Sequence, residues 1–172
     1  MKKTSLFLIL LVFAVDAQAR AGIKYFLPKA TAMKFDVNPQ WDKPLYAAGA
    51  LFGYGFDSTL AVEVEGNYGV YGGDYVVDTA SGNFSAWNVA LYGVYRYPVL
   101  VEGYVKAKIG SSYNRVDHTP PSGESDKSTE GLGVSLGAGF GYVFKTGITL
   151  ELDYTRLKNI SHNVGLGLHY RF

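Results

Sequence analysis

The chain has 172 residues, with 16 Lys plus Arg against 15 Asp plus Glu, 21 Gly, 14 Tyr, 10 Phe and no Cys. A net charge of +1 lacks the basic stripe a nucleic-acid partner needs, and the missing Cys removes disulfide frameworks and thiolate metal sites. So much Gly and Tyr also argues against a helical bundle, because both are poor helix formers.

Residues 1–19 have the pattern of a cleavable export signal. Lys2 and Lys3 are basic, Leu6 to Val15 is an apolar run, and Ala17-Gln18-Ala19 has the small-residue cleavage pattern. The run is too short to cross about 30 Å of hydrocarbon as a helix. The expected mature domain is 20–172, with 14 basic and 14 acidic residues.

From there apolar residues recur at every second position, which is the mark of a strand with two different faces. Punctuation by Gly, Pro, Asn and Asp predicts eight strands, at 21–29, 44–56, 59–71, 84–97, 99–113, 131–144, 147–157 and 162–172. In the third, Leu60, Val62, Val64, Tyr68 and Val70 share one parity; in the last, every even residue from Val164 to Phe172 is apolar. Tight turns are expected at Asp57-Ser58, around Pro98 and at Lys145-Thr146. Long polar loops are expected at 30–43, 72–83 and 114–130, with a short one at 158–161. The predicted fold class is all-β: an eight-stranded antiparallel transmembrane β-barrel with short periplasmic turns and longer extracellular loops.

Alternation does not say which face meets which solvent, but volume does. Tyr25, Tyr46, Phe52, Tyr54, Phe56, Tyr68, Trp87, Tyr95, Tyr97, Phe140, Tyr142, Phe144, Tyr154, Tyr170 and Phe172 fall on the apolar face. An eight-stranded interior has no room for them. The opposite face carries Gly49, Gly53, Gly55, Gly133, Gly137, Gly139, Gly141, Gly165 and Gly167, which suits a narrow lumen. The apolar face is therefore expected to meet lipid.

Charges take the inward parity. Lys24, Arg96, Lys106, Lys108 and Arg171 stand against Glu63, Glu65, Glu102, Glu151 and Asp153, a balanced set that must pair to persist in a low-dielectric lumen. Tyr54, Phe56, Tyr95, Tyr97, Tyr142, Phe144 and Phe172 lie beside the short turns and are expected to form the periplasmic aromatic girdle. Tyr46, Tyr68, Trp87 and Tyr154 would form the outer one, with Arg156 reaching toward outer-leaflet phosphates. Loop charges such as Lys34, Asp36, Asp42, Lys43, Asp74, Asp78, Arg115, Asp117, Glu124, Asp126, Lys127 and Glu130 are mixed in sign.

The eight-strand plan, the terminal Leu168-His169-Tyr170-Arg171-Phe172 and the segment Leu152-Asp153-Tyr154-Thr155-Arg156-Leu157-Lys158-Asn159 resemble the small bacterial outer-membrane barrels. That group comprises the OmpA-like transmembrane domain and the neisserial surface-protein and opacity-protein families. The resemblance covers the whole expected mature chain. It implies residence in the outer membrane of a Gram-negative bacterium, among outer-membrane lipid and lipopolysaccharide. It also implies insertion by the barrel assembly machinery, which reads a C-terminal aromatic, here Phe172. No peptidoglycan-binding domain is expected after Phe172, so the resemblance does not imply the anchoring role of longer relatives.

Catalytic patterns are weak. His118, His162 and His169 have no metal-ligand spacing. The neighbours Asp117-His118 and Ser161-His162 point to opposite faces of a strand. Gly137-Ala138-Gly139-Phe140-Gly141 lacks the third-glycine spacing and following helix of a dinucleotide site. Lipid-deacylating barrels resemble one another in a His-x-Ser pair, and Ser161-His162-Asn163 has the wrong order. The expectation is a non-enzymatic surface barrel with a plugged polar lumen and no cofactor or metal. Its loops would present an adhesion surface to a host or envelope ligand, or an envelope-structural one. A narrow small-solute channel and a lipid A-modifying enzyme are the alternatives.

Overall fold

The computed structural model describes residues 22–35, 44–71, 74–77, 80–119, 127–157 and 161–172. The expected signal at 1–19 and the loop residues Asp36, Asp42, Lys43, Asp78, Glu124 and Asp126 lie outside them. The alternating segments form strands β1 (Ile23–Phe35), β2 (Leu45–Gly55), β3 (Leu60–Tyr71), β4 (Asp74–Val77), β5 (Ala80–Leu100), β6 (Gly103–Thr119), β7 (Lys127–Val143), β8 (Thr149–Leu157) and β9 (Ser161–Arg171). Their order around the sheet is β3-β2-β1-β9-β8-β7-β6-β5-β4, and β3 also pairs with β5. That pairing runs antiparallel from Leu60↔Tyr95 to Tyr68↔Trp87 and closes eight strands into a barrel. The short β4 is a hairpin partner of the far end of β5, from Asp74↔Asn83 to Val77↔Ala80.

Closure satisfies the strand backbone within the sheet around the part of the barrel where all eight strands pair, the condition for crossing lipid. Outward residues such as Phe52, Tyr68, Val89, Ile109, Leu152 and Leu166 are exposed, while inward ones such as Leu51, Glu63, Tyr92, Lys106 and Asp153 are buried. The exposed apolar belt and the buried polar interior invert the soluble arrangement, so lipid is the outer solvent.

The walls are unequal, and here the structure departs from the predicted strand limits. β5, β6 and β7 have 21, 17 and 17 residues, while β8 has 9. Much of 72–83 and 114–130, expected as loop, is strand. Polar and Gly residues signal turns, but Asn83↔Thr119 and Arg115↔Glu130 are ladder pairs, because a sheet already nucleated in the barrel extends through them. β1 likewise continues to Phe35, although a loop was expected from Ala30.

The turn expected at Pro98 falls at Val101-Glu102 instead. Pro98 pairs with Tyr104 beside a register shift, the kind of irregular position a residue without an N–H tolerates. At the first turn, the Asp57 carboxylate accepts hydrogen bonds from Thr59 N, Thr59 Oγ1 and Leu60 N at 2.6, 2.7 and 2.7 Å. At the last, Gly147 has φ +82°, a left-handed conformation that favours glycine.

β1 has the opposite parity from the one expected. Tyr25, Leu27, Lys29, Thr31, Met33 and Phe35 are buried, and Tyr25 faces the lumen rather than lipid. Both faces of this strand carry apolar residues, so alternation there gives no direction. Hydrogen bonding decides it, since a Tyr hydroxyl turned inward reaches Glu63 at 2.8 Å.

Candidate functional site

The distinctive chemistry of the molecule lies inside the barrel. Lys29, Arg96, Lys106 and Lys108 are buried there with Glu63, Glu65, Glu151 and Asp153, four charges of each sign. Glycine lets them meet. In the ladders Lys106 is level with Gly139 and Gly139 with Asp153; Tyr104 is level with Gly141 and Gly141 with Glu151; Lys29 is level with Gly167 and Gly167 with Glu151. Each glycine leaves an open floor over which long side chains two strands apart can cross. A Cβ on Gly139 would lie 2.8 Å from Leu152 O and 3.1 Å from Lys106 Cε, and one on Gly53 or Gly141 would fall within the ring of Tyr25 or Tyr104.

Two linked layers result. In the upper, Lys29 and Lys108 each bridge the same two acids. Lys29 Nζ lies 2.7 Å from Glu65 and 3.0 Å from Asp153, and Lys108 Nζ lies 2.9 and 2.8 Å from them. In the lower, Arg96 donates to Glu63 at 2.7 Å and to the Tyr25 hydroxyl, and Lys106 bonds Glu151 and lies 3.4 Å from Glu63. Tyr104 donates to Glu151 at 2.6 Å. Lys106 also approaches Asp153 at 3.9 Å, joining the layers. Alternating signs give every ion an opposite neighbour, as burial demands.

A neutral polar tier continues the upper layer. Asn67 Nδ2 donates to Glu65 at 2.9 Å and to Asn88 Oδ1 at 3.0 Å, Thr31 donates to Asn67 at 2.9 Å, and Ser135 donates to Ser112 at 2.6 Å. Toward the long-strand end, Met33, Phe35, Leu45, Ala47, Phe84, Ala86 and Val116 form an apolar cluster. Phe35 and Phe84 meet edge to face at 5.5 Å, bringing β1 and β5 together across the interior. At the other end His169, 1% exposed, packs against Tyr25 at 4.2 Å.

Of the charges expected inside, Glu63, Glu65, Arg96, Lys106, Lys108, Glu151 and Asp153 are buried together. Lys24, Glu102 and Arg171 are exposed. Lys24 lies on the outward parity of β1, while Glu102 and Arg171 sit where the wall ends, and Glu102 accepts from Tyr142 Oη at 3.4 Å. Sequence parity missed Lys29 and Tyr25 because both lie on β1. A signal was available: with Lys24 removed, the buried acids outnumber the bases unless Lys29 joins them. Outside, Phe172 packs edge to face on Phe52 at 6.2 Å and Tyr142 on Phe144 at 5.1 Å, within the lower aromatic girdle. Among the described residues no group of three or more His, Cys, Asp or Glu is arranged to hold a metal.

A closed eight-stranded barrel with an apolar exterior, aromatic girdles and paired charges inside is the architecture of a small outer-membrane protein. Residues 5–172 match the model of the outer membrane protein beta-barrel domain, and the chain belongs to that family. Its place is the outer membrane of a Gram-negative bacterium. Among solved structures the chain is similar to neisserial surface protein A, with 18% identity, 88% of this chain and 100% of that one covered, and a TM-score of 0.65. It is also similar to Ail, the attachment invasion locus protein of Yersinia pestis, in complex with the heparin analogue sucrose octasulfate: 18% identity, 89% and 100% coverage, TM-score 0.61. OprG from Pseudomonas aeruginosa gives 15% identity, 90% and 97% coverage and a TM-score of 0.61. No curated protein matches the chain.

Proposed function

We propose that this protein is a non-enzymatic surface barrel whose lumen is plugged by its own charges and whose protruding wall presents a binding surface. One observation carries the reading: a sheet that stands well above the rim of a barrel with a packed interior. β7 last pairs with β8 at Ser135↔Leu157 yet continues to Lys127, roughly 27 Å of further strand. β5 and β6 rise with it, paired to Asn83↔Thr119.

An interior filled with mutually bonded ions and an apolar cluster supports a plugged lumen over an open path for solutes. The buried Lys, Arg, Glu and Asp side chains are occupied with one another, which supports a structural role for them over acid–base work. The wall's outer face mixes Trp87, Tyr113, Arg115, Asp117, Glu130, Leu132 and Val134. Trp87 and Tyr113 pack at 5.5 Å, Arg115 bonds Asp117 at 2.9 Å, and Tyr113 donates to Glu130. Aromatic residues backed by a rigid sheet are good anchors for a partner. Ail, similar in fold, has been captured with a heparin analogue, which supports an extracellular ligand for this plan.

The test is whole-cell binding to a panel of matrix, serum and glycosaminoglycan components, comparing wild type with a variant in which 114–130 is replaced by a short turn. The expected outcome is binding that is lost in the shortened variant while the barrel still folds. Equal binding by both would contradict the assignment to the wall.

A further inference from the structure

The lower end of the lumen, beside the short turns, holds polar atoms that the ion network does not use. Thr149 on β8 and His169 on β9 are ladder partners, so their side chains stand side by side on the inner face. Both are buried, at 0% and 1% exposure. Thr149 Oγ1, both ring nitrogens of His169 and Nε of Arg96 have no hydrogen-bond partner in the protein. Tyr25 ties the group together. Its ring lies 4.2 Å from that of His169, centroid to centroid, and 4.6 Å from Arg96 Cζ. Arg96 is held through a different nitrogen, which donates to Glu63 at 2.7 Å and to the Tyr25 hydroxyl.

Buried polar groups are almost always paired, and atoms without a protein partner call for a bound water or ion. The chemistry here favours a species that only accepts. Nε of a guanidinium can only donate, a threonine hydroxyl can donate, and an imidazole presents at least one N–H. The charges that act on His169 point the same way, with Arg96, Arg171 and Lys106 set against Glu63. Arg171 follows His169 by two residues on β9, which puts it on the same face, and it pairs with Tyr25 where the wall ends. Field and donors therefore agree on a negative ligand.

We infer that Thr149, His169 and Nε of Arg96 bind one inorganic anion of halide size inside the lower lumen, with Arg171 drawing it in at the mouth. Burial sets the size. An ion there gives up its water, and a buried charge persists only where hydrogen bonds and opposite charge replace that water; three donors and the nearby cations supply both. The Arg96–Glu63 pair stays intact, because the anion takes the nitrogen that Glu63 does not. The site lies inside the barrel and is independent of the binding role of the tall wall.

The experiment follows the imidazole nitrogens by NMR in histidine-labelled protein folded into phosphatidylcholine nanodiscs at neutral pH. Sodium chloride replaces sodium gluconate at constant ionic strength. The His169 signals are expected to move and saturate, with His162 on the outer face of β9 as the internal reference. Thr149→Val keeps the shape and loses the hydroxyl, and a hydrogen bond to a charged group is worth roughly tenfold in affinity, so about a tenfold loss is expected. Thr149→Ser should bind as wild type does, and so should Lys145→Gln at the exposed turn of the same end. If Thr149→Val does not fold, Arg171→Gln decides, with a severalfold loss expected. No saturable shift at His169, a parallel shift at His162, or undiminished affinity in the deciding variant overturns the site. A shift that follows sodium, when N-methylglucamine replaces it at fixed chloride, would assign a cation and overturn the anion.

Discussion

Lys106 bonds Glu151 and lies near Glu63 and Asp153, so its removal takes away the cation bonded to Glu151, while Glu63 keeps Arg96 and Asp153 keeps Lys29 and Lys108. Breaking a buried pair from one side costs about 3–5 kcal/mol, and Lys106→Ala is expected to lower unfolding stability in urea by that order. Changing Lys106 and Glu151 together to Met and Leu should recover part of the loss, since matched apolar pairs often replace buried ions without penalty. A double variant less stable than the sum of the singles would contradict the pairing. Asp57 gives the pH dependence. Donors from Leu60 and Thr59 hold its carboxyl below the usual carboxylate range, so its contribution is present above that range and lost as pH falls through the lowered value. The stability gap between wild type and Asp57→Asn is expected in full at neutral pH and should close on acidification below about pH 4; a gap that widens there would refute this. Most lumen charges were legible from parity alone, since Glu63, Glu65, Lys106, Lys108, Glu151 and Asp153 alternate with apolar neighbours. Lys29 and Tyr25 were not, because β1 is apolar on both faces and its direction is set by partners on β3 and β8.

Strands β6, β7 and β8 work as a unit, with β7 supplying a glycine floor between two strands of long side chains. The floor makes a contrast within one strand. Gly139→Val would meet Leu152 O and the Asp153 and Lys106 side chains, whereas Gly131 has nothing within 4 Å of an added Cβ. Overpacking of this kind costs about 1–3 kcal/mol, while Gly131→Val is expected to stay within about 0.5 kcal/mol of wild type. Similar effects at both positions, measured by urea unfolding, would remove the crossing-over-glycine account. Direction can be checked on β8 with cysteine variants and a lipid-confined probe. Cysteines at 150 and 152 should label and those at 151 and 153 should not, and the reverse pattern would turn the barrel inside out. Strand ends were the least legible part of the fold. Asn114, Arg115, Glu130 and Gly131 have loop chemistry, and only pairing to an already formed sheet makes them strand.

Taken whole, the molecule divides its tasks by direction. Its outer belt meets lipid, its tall wall stands in the extracellular space, and its interior carries ion pairs that tie β1, β3, β5, β6 and β8 together. The division was half visible in the sequence: closure, the lipid face and the balance of charge follow from periodicity, but the unequal heights of the walls do not, because they depend on which partner each strand outlasts. The central claim is that the lumen is a plug and that function lies on the surface. Planar-bilayer recording of purified wild-type protein tests it most directly. The account predicts a silent bilayer, with no more than brief small openings when Glu151→Ala or Lys106→Ala breaks a pair. A stable, ohmic, porin-sized current from the wild-type protein would contradict it.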